Sequence, residues 1–530
     1  MKGGSGRGGR GGGGRHAARV AAGILVTRVL GYVRERVFAH YFGNGAVADA
    51  FRAALRIPNA LRTLLGEGTL SASFIPVYAA LNEKNKDAAR ALAGAILGLL
   101  LLASGVLAVI GIAFAPAITA VVAQGFDGPK RELTTVLVRI LFPMTGLMVV
   151  SAWCLGILNT HRRFFLPYAA PALWNVAGIA AMIGAAAWLT GKGLTANEQL
   201  YRLALALAWG TVVGSVLQIA VQLPTCWRLL QGIPLTVSLA LEGVRDVITA
   251  WAPLVIGAGV AQISGLVDTF LGSFTGEGGL ASLGYAQLVQ VLPISLFGVA
   301  VTAVALPELS RDAVGETPHD QLRARIATGF RRIAFFVLPS AFAFAAFGPQ
   351  IVGALFQTGR FDADDTVLVG GVLAAYGIGL LGQSTVKLFA SGFYAMRDTR
   401  TPVRIAITSL VISGFLSWFF MRRFGPAGIA LGSSIGGTLN TVLHLYDLDR
   451  RIGTILQRSD WQIVGLVVAA ALIAVLLGTG MSHLAAAWRP IPRGIAVLGI
   501  FGVAYGALTL AFRHPDATRA WQSLTGSPAN

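Results

Sequence analysis

The residues of this sequence able to do chemistry are charged side chains set inside apolar segments, and most of them are arginines. The first apolar stretch carries T-R-V-L-G-Y-V-R from Thr27 to Arg34, and the second opens with Asp49 and carries Arg52, Arg56, Arg62 and, farther along, Glu67. A charge at the bilayer centre costs about 2.5 to 3.5 kcal/mol, so lipid-facing Arg28, Arg34, Arg52, Arg56 and Arg62 would together cost on the order of 12 to 17 kcal/mol. They must face a wet interior or pair with acids. Arg52, Arg56 and Asn59 stand at i, i+4 and i+7 and share one helical face, whereas Arg28 and Arg34 lie about 120° apart around their helix and border a broader surface. Pro58, with Gly66 and Gly68, lets the second helix bend or break. Two readings compete for this cluster. In one, Asp49 and Glu67 neutralise arginines as gate ion pairs while others snorkel to the headgroups. In the other, the surplus guanidinium groups bind an anion, and their planar forks suit phosphate oxygens. The excess of arginine over acid favours the anion. Arg36, near the end of its segment, reads as a snorkelling anchor.

Elsewhere in the membrane, Asp268 in Q-I-S-G-L-V-D-T-F is a lone carboxylate. It either takes up a proton or Na⁺, coupling transport to an ion gradient, or hydrogen-bonds to a neighbouring Ser or Thr. Lys387 in S-T-V-K-L-F reads as a second contact to an anionic ligand or as a snorkelling lysine. The sequence holds no G-x-x-x-x-G-K-[ST], no H-E-x-x-H and no Cys/His cluster, so nucleotide and metal-assisted hydrolysis lack their usual parts. No cofactor or metal is expected, and the energy for transport would come from Na⁺, H⁺ or the membrane potential. Cys154 and Cys226 fall in or beside apolar segments and indicate no disulfide framework. No carboxylate pair or nucleophile–base set converges, which argues against an enzyme.

The elements that must hold these residues are membrane helices. Of 530 residues, 55% are hydrophobic and 12% charged, where a soluble domain carries about 25% charged residues. This excludes an ordinary soluble enzyme and predicts an all-α polytopic membrane protein. From Ala18 onward about fourteen segments are long enough to cross a bilayer. The first runs from Ala18 to Tyr41, the second from Ala50 to Ala80, the fourth from Leu133 to Leu158, the tenth from Val367 to Ala395 and the last from Gly494 to Phe512. Lys and Arg outside the spans concentrate on one side, at His161 to Arg163, in the Arg311 to Arg332 loop and at Arg397 to Arg400, so the positive-inside rule places both termini in the cytoplasm. The net charge of +18 is thereby accounted for without nucleic acid.

The sequence also repeats itself. I-P-N-A-L-R around Pro58 returns as L-P-I-S-L-F around Pro293, and A-F-A-P-A-I around Pro116 as A-F-G-P-Q-I around Pro349. G-I-L-N-T-H-R-R-F-F-L-P, ending at Pro167, returns as G-F-Y-A-M-R-D-T-R-T-P, ending at Pro402, at nearly the same offset. Copies in one direction separated by an even number of helices predict two parallel lobes of about six helices each. The expected organisation is a disordered Gly/Arg-rich tail over 1–17, lobes over 18–226 and 227–451, two further helices over 452–512 and a cytoplasmic tail over 513–530. Paired bundles of this kind typify alternating-access transporters.

With these residues in view, the chain resembles the MurJ (MviN) lipid II flippases of the multidrug/oligosaccharidyl-lipid/polysaccharide exporter superfamily, from Ala18 to Phe512. The most specific pieces are T-R-V-L-G-Y-V-R at Thr27, D-A-F-R at Asp49, R-I-P-N-A-L-R at Arg56 and G-E-G-T-L-S-A-S-F-I-P at Gly66. G-I-L-N-T-H-R-R-F at Gly156, L-F-Q-T-G-R-F at Leu355 and G-F-Y-A-M-R-D-T-R-T-P-V at Gly392 add to them. The resemblance implies a fourteen-helix inner-membrane flippase with a V-shaped central cavity between two lobes and a lipid-tail groove on the last two helices. Its expected cargo is lipid II, the undecaprenyl-diphosphate-linked disaccharide-pentapeptide, carried from the cytoplasmic to the periplasmic leaflet for peptidoglycan synthesis. The family's functional arginines fall on Arg28, Arg34 and Arg62, and its functional acids on Asp49 and Glu67. Membrane lipids and cell-wall synthesis or division proteins are the further partners this implies. One departure stands out: where the family commonly reads Y-A-D-R-L, this chain reads Y-A-Q-L-V from Tyr285, placing Gln287 and Leu288 at the acid and the arginine. The alternatives it opens are a flippase for another polyprenyl-diphosphate-linked oligosaccharide, or a transport-inactive scaffold for cell-wall enzymes.

Overall fold

The computed structural model describes residues 10–66, 68–312 and 318–525. Glu67 lies outside the described residues, as do parts of the two expected tails. Among the described residues there is no strand, only an isolated bridge between Thr358 and Phe361. The chain divides into two compact units, one up to Phe270 and one from Leu271.

The first unit is built from α1 (Arg10–Phe42), α2 (Ala46–Leu65), α3 (Thr69–Lys84), α4 (Lys86–Ala113), α5 (Ala115–Val122), α6 (Gly128–Thr160), α7 (Phe165–Ala169), α8 (Pro171–Leu189), α9 (Ala196–Leu229) and α10 (Val244–Gly272). Pro58 is carried inside α2 without ending it. The break comes at Gly66–Gly68, where Gly68 takes a φ of 81° that few side chains tolerate, so α2 and α3 cross as one interrupted span. Helix α6 is the hub, packing against α2, α4 and α9. Its Trp153 is fully buried and donates from Nε1 to the Ala93 carbonyl at 3.0 Å, which satisfies the one polar atom of that ring. The chain after α9 then runs back over α4. Gly94 and Gly98 leave bare backbone there, and a Cβ at either would overlap the carbonyl oxygen of Pro234 or Thr236. Gly98→Val is therefore expected to cost about 1–3 kcal/mol through overpacking, read as a lower Tm of the detergent-purified protein; an unchanged Tm would show the segment free to lift away.

The second unit holds α11 (Gly279–Pro293), a π-helical turn (Ile294–Val299), α12 (Ala300–Asp312), α13 (Pro318–Phe356), α14 (Ala363–Ile378), α15 (Leu380–Ala395), α16 (Arg400–Phe424), α17 (Pro426–Ile452), α18 (Arg458–Leu484), α19 (Pro490–Ala511) and α20 (Pro515–Thr525). Helix α13 kinks at Phe347, just before Pro349, whose ring cannot continue a regular ladder. Tyr285 packs its ring 5.1 Å from those of Phe356 and Phe361 at the centre of this unit.

Among the described residues, twelve stretches are long and apolar enough to cross a membrane. The other two segments of the sequence count fall on α1 and α17, which are 33 and 27 residues long but interrupted by polar groups. In α1 these are Arg28, Arg34, Glu35 and Arg36, and in α17 Asn440, His444, Asp447 and Asp449. The fold is an all-α polytopic membrane protein.

Candidate anion-binding site

The first unit gathers two of the predicted arginines around a third residue that the sequence reading passed over. Glu35, on α1, is 8% exposed. Its carboxylate accepts from Arg34 Nη2 at 2.5 Å and from Arg52 Nη2, on α2, at 2.8 Å. Aromatic faces steady both guanidinium groups: Arg34 lies 4.3 Å from the ring centre of Trp174 on α8, and Arg52 lies 5.3 Å from that of Phe38. A carboxylate stripped of water is tolerated only when such charged hydrogen bonds replace its hydration. These residues line a narrow pocket, walled also by Phe51 and Thr211. The Nε1 of Trp174 is buried with no hydrogen-bond partner among the described residues. Two guanidinium forks against one carboxylate leave one net positive charge, a stacked aromatic wall and a spare N–H donor. That set suits a multi-oxygen anion.

The remaining arginines spread along the same helices. Arg28 is exposed on α1, and Arg56, Asn59 and Arg62 are half-buried along α2, outside the cavity lining. The Arg56 guanidinium occupies the space over Gly265 of α10, where any Cβ would overlap it, and half-buried Asp268 lies one helical turn further on. Arg62 sits in the last turn of α2, and its carbonyl accepts from Gly66 N at the break.

Asp49 is wholly buried in the first turn of α2 and accepts from Lys130 Nζ of α6 at 2.6 Å. Lys130 in turn lies 4.0 Å over the Phe126 ring. No sequence signal joined these two, because 81 residues separate them. For Glu35 a signal existed: it follows Arg34 directly, inside the same apolar segment. The partner on α2 that makes the pair a cluster is not visible along one helix.

In the second unit, Leu288 is half-buried on α11 between neutral partners. Gln287 Nε2 donates to Tyr376 Oη at 3.0 Å, and Gln290 Nε2 donates to Gln383 Oε1 at 3.0 Å. Lys387 is exposed on α15. Among the described residues no cluster of His, Cys, Asp and Glu has the makings of a metal site. At the helix ends, burial and the nearby Lys86 charge push the His161 imidazole below its ordinary range. The Thr401 hydroxyl and amide, and then Arg451, hold the Asp398 carboxyl well below the usual carboxylate range.

A sequence model of the family described as Lipid II flippase MurJ matches residues 38–493. The Lipid II flippase MurJ of Burkholderia cenocepacia is 36% identical over 467 residues, covering 86% of this chain and 88% of the relative. The probable lipid II flippase MurJ of Rhizobium meliloti is 31% identical over 487 residues, covering 88% and 86%. Among solved structures, one described as lipid II flippase MurJ in an inward closed conformation aligns with a TM-score of 0.75 at 21% identity, over 93% of this chain and 99% of the other. An inward-facing multidrug resistance MATE family transporter of the MOP superfamily aligns at 0.63 and 18% identity, over 83% and 98%. At these identities the two structures speak for the fold.

Proposed function

This chain belongs to the MurJ family of lipid II flippases, and from that premise we infer that it is a multi-pass inner-membrane transporter, not an enzyme, that moves lipid II between the leaflets for peptidoglycan synthesis. The observation that carries the reading at the level of residues is the Arg34–Glu35–Arg52 cluster beside Trp174. Lipid II presents a diphosphate between its sugar and its polyprenyl tail. In the proposed cycle Arg34 and Arg52 turn their forks onto the diphosphate oxygens, and the Trp174 N–H adds a neutral donor. The sugar-peptide headgroup passes through the wet interior while the tail stays in lipid, from the cytoplasmic to the periplasmic leaflet, by alternating access. Glu35 keeps the two forks aligned while the cavity holds no cargo, so little ordering remains to be done when the diphosphate arrives. Arg28, Arg56 and Arg62 extend the cationic track along α1 and α2, Asp49 and Glu67 serve as gate acids, and Asp268 is the candidate for Na⁺ or H⁺ coupling.

The test is complementation of a strain depleted of its own lipid II flippase, with lipid II exposed on the outer leaflet as the readout. The wild-type chain is expected to restore exposure; a well-expressed chain that fails would overturn lipid II as the cargo. Glu35→Gln sharpens the site reading. With the buried counter-charge gone, inorganic diphosphate should bind the purified protein about tenfold tighter, a change of about 1.4 kcal/mol, while exposure slows. Unchanged diphosphate affinity would separate Glu35 from the binding site.

A further inference from the structure

Four non-glycine residues of the described chain adopt a left-handed backbone: Arg162 at φ 57°, Gln231 at 51°, Arg397 at 62° and Arg513 at 52°. Each closes a helix in the same way. Arg163 N donates to Leu158 O at 2.8 Å, Gly232 N to Trp227 O at 3.0 Å, Asp398 N to Phe393 O at 2.9 Å and His514 N to Thr509 O at 2.9 Å. This six-to-one bond puts the left-handed residue in the position that glycine, or failing that asparagine, normally fills, since a Cβ there crowds the next carbonyl. Three of the four are arginine instead. Arg162 and Arg397 are moreover the same position in the two repeats, each five residues before the proline that closes the motif, Pro167 or Pro402.

A helix that needed only to stop would stop better on glycine. The helix dipole favours a cation near a C-terminus, but a residue elsewhere in the last turn supplies that without strain. Strain kept at matching places in two repeats points to a use for the side chain. Both guanidinium groups are exposed, and neither makes a hydrogen bond or ion pair among the described residues. The acid next to Arg397 is occupied elsewhere: Asp398 accepts from Arg400 N at 2.9 Å, Thr401 N at 3.0 Å, Thr401 Oγ1 at 2.6 Å and Arg451 Nη1 at 2.7 Å. Exposed Arg163 and Arg400 supply a further cation at each corner. The two turns lie directly past Gly128–Thr160 and Ala363–Ala395, two of the stretches long and apolar enough to cross a membrane. The positive-inside rule assigns both to the cytoplasmic side, where the leaflet is anionic.

We propose that Arg162 and Arg397 form a repeated binding corner for the phosphate of an anionic lipid headgroup, one corner in each repeat. The strained turn holds the guanidinium outward, and the neighbouring arginine offers a second guanidinium to the phosphodiester oxygens. The role is separate from cargo transport and stands without it.

The experiment compares full-length wild type with Arg162→Gly/Arg397→Gly, measuring binding of short-chain phosphatidylglycerol and of short-chain phosphatidylcholine. Glycine relieves the left-handed strain, so the variant should fold with a Tm no lower than wild type while its affinity for phosphatidylglycerol falls on the order of tenfold or more and its affinity for phosphatidylcholine holds. Arg162→Asn/Arg397→Asn, which keeps a side chain at the turn, should show the same loss. Equal phosphatidylglycerol binding by wild type and variants would overturn the proposal, as would a parallel loss of phosphatidylcholine binding. Inorganic diphosphate serves as the soluble competitor. If it displaces phosphatidylglycerol at concentrations below that of the lipid, the corners take free anions and the lipid assignment fails.

Discussion

Arg34→Ala is expected to abolish rescue of a flippase-depleted strain, with outer-leaflet lipid II falling about 30-fold or more although the protein still reaches the membrane. Truncating one partner of a buried, hydrogen-bonded charge pair costs about 2–5 kcal/mol, and each 1.4 kcal/mol is a factor of ten. The loss has two sources here: the fork that meets the diphosphate is removed, and Glu35 keeps only Arg52 of its two arginine partners. Arg34→Lys separates them. It keeps the charge near Glu35 but loses the planar fork and the stack on Trp174, so it should fold normally and transport at an intermediate rate. Exposure within twofold of wild type for Arg34→Ala would remove this cluster from the transport cycle.

The largest effect on stability is expected at Lys130, whose ammonium is 2.6 Å from the fully buried Asp49 carboxylate. Lys130→Met should lower unfolding stability by about 3–5 kcal/mol, because a buried charge is left short of its cation. Adding Asp49→Asn should recover most of that loss, since the remaining amide no longer carries the charge. A double-mutant cycle on Tm or on denaturant midpoints measures the coupling; additive losses would mean that the pair contributes nothing as a pair.

These two clusters mark where the sequence was legible. Arginines among apolar residues identify themselves one at a time, since each is too costly to leave in lipid, and the break between α2 and α3 was announced by Gly66 and Gly68. The repeat was visible in motifs that need no partner to be recognised. Most of the spans were readable too: of about fourteen segments, twelve are long and apolar enough to cross among the described residues, and α1 and α17 differ by their polar interruptions. Partnerships were not readable. Glu35 reaches Arg52 across two helices, and Lys130 reaches Asp49 from α6; neither pairing obeys a helical spacing that one sequence displays. Nor does the sequence show that Gly94 and Gly98 are the bed for the segment after α9. Even the left-handed arginines were hidden, because a residue type that normally avoids a conformation gives no warning when it adopts it.

The carboxylate of Glu35 gives the proposed site the logic of an ion-exchange resin rather than that of a trap. An exchanger is never bare: the arriving anion displaces one already seated, so the net free energy of loading is a difference between two similar contacts. The same resident anion regenerates the column. As a diphosphate oxygen leaves Arg34 or Arg52, Glu35 returns within hydrogen-bond reach of both and lowers the barrier to letting go. A carrier must discharge its load once per cycle, and a counter-ion covalently fixed in the wall lets an arginine-lined pocket do so without drawing on salt from either side of the membrane.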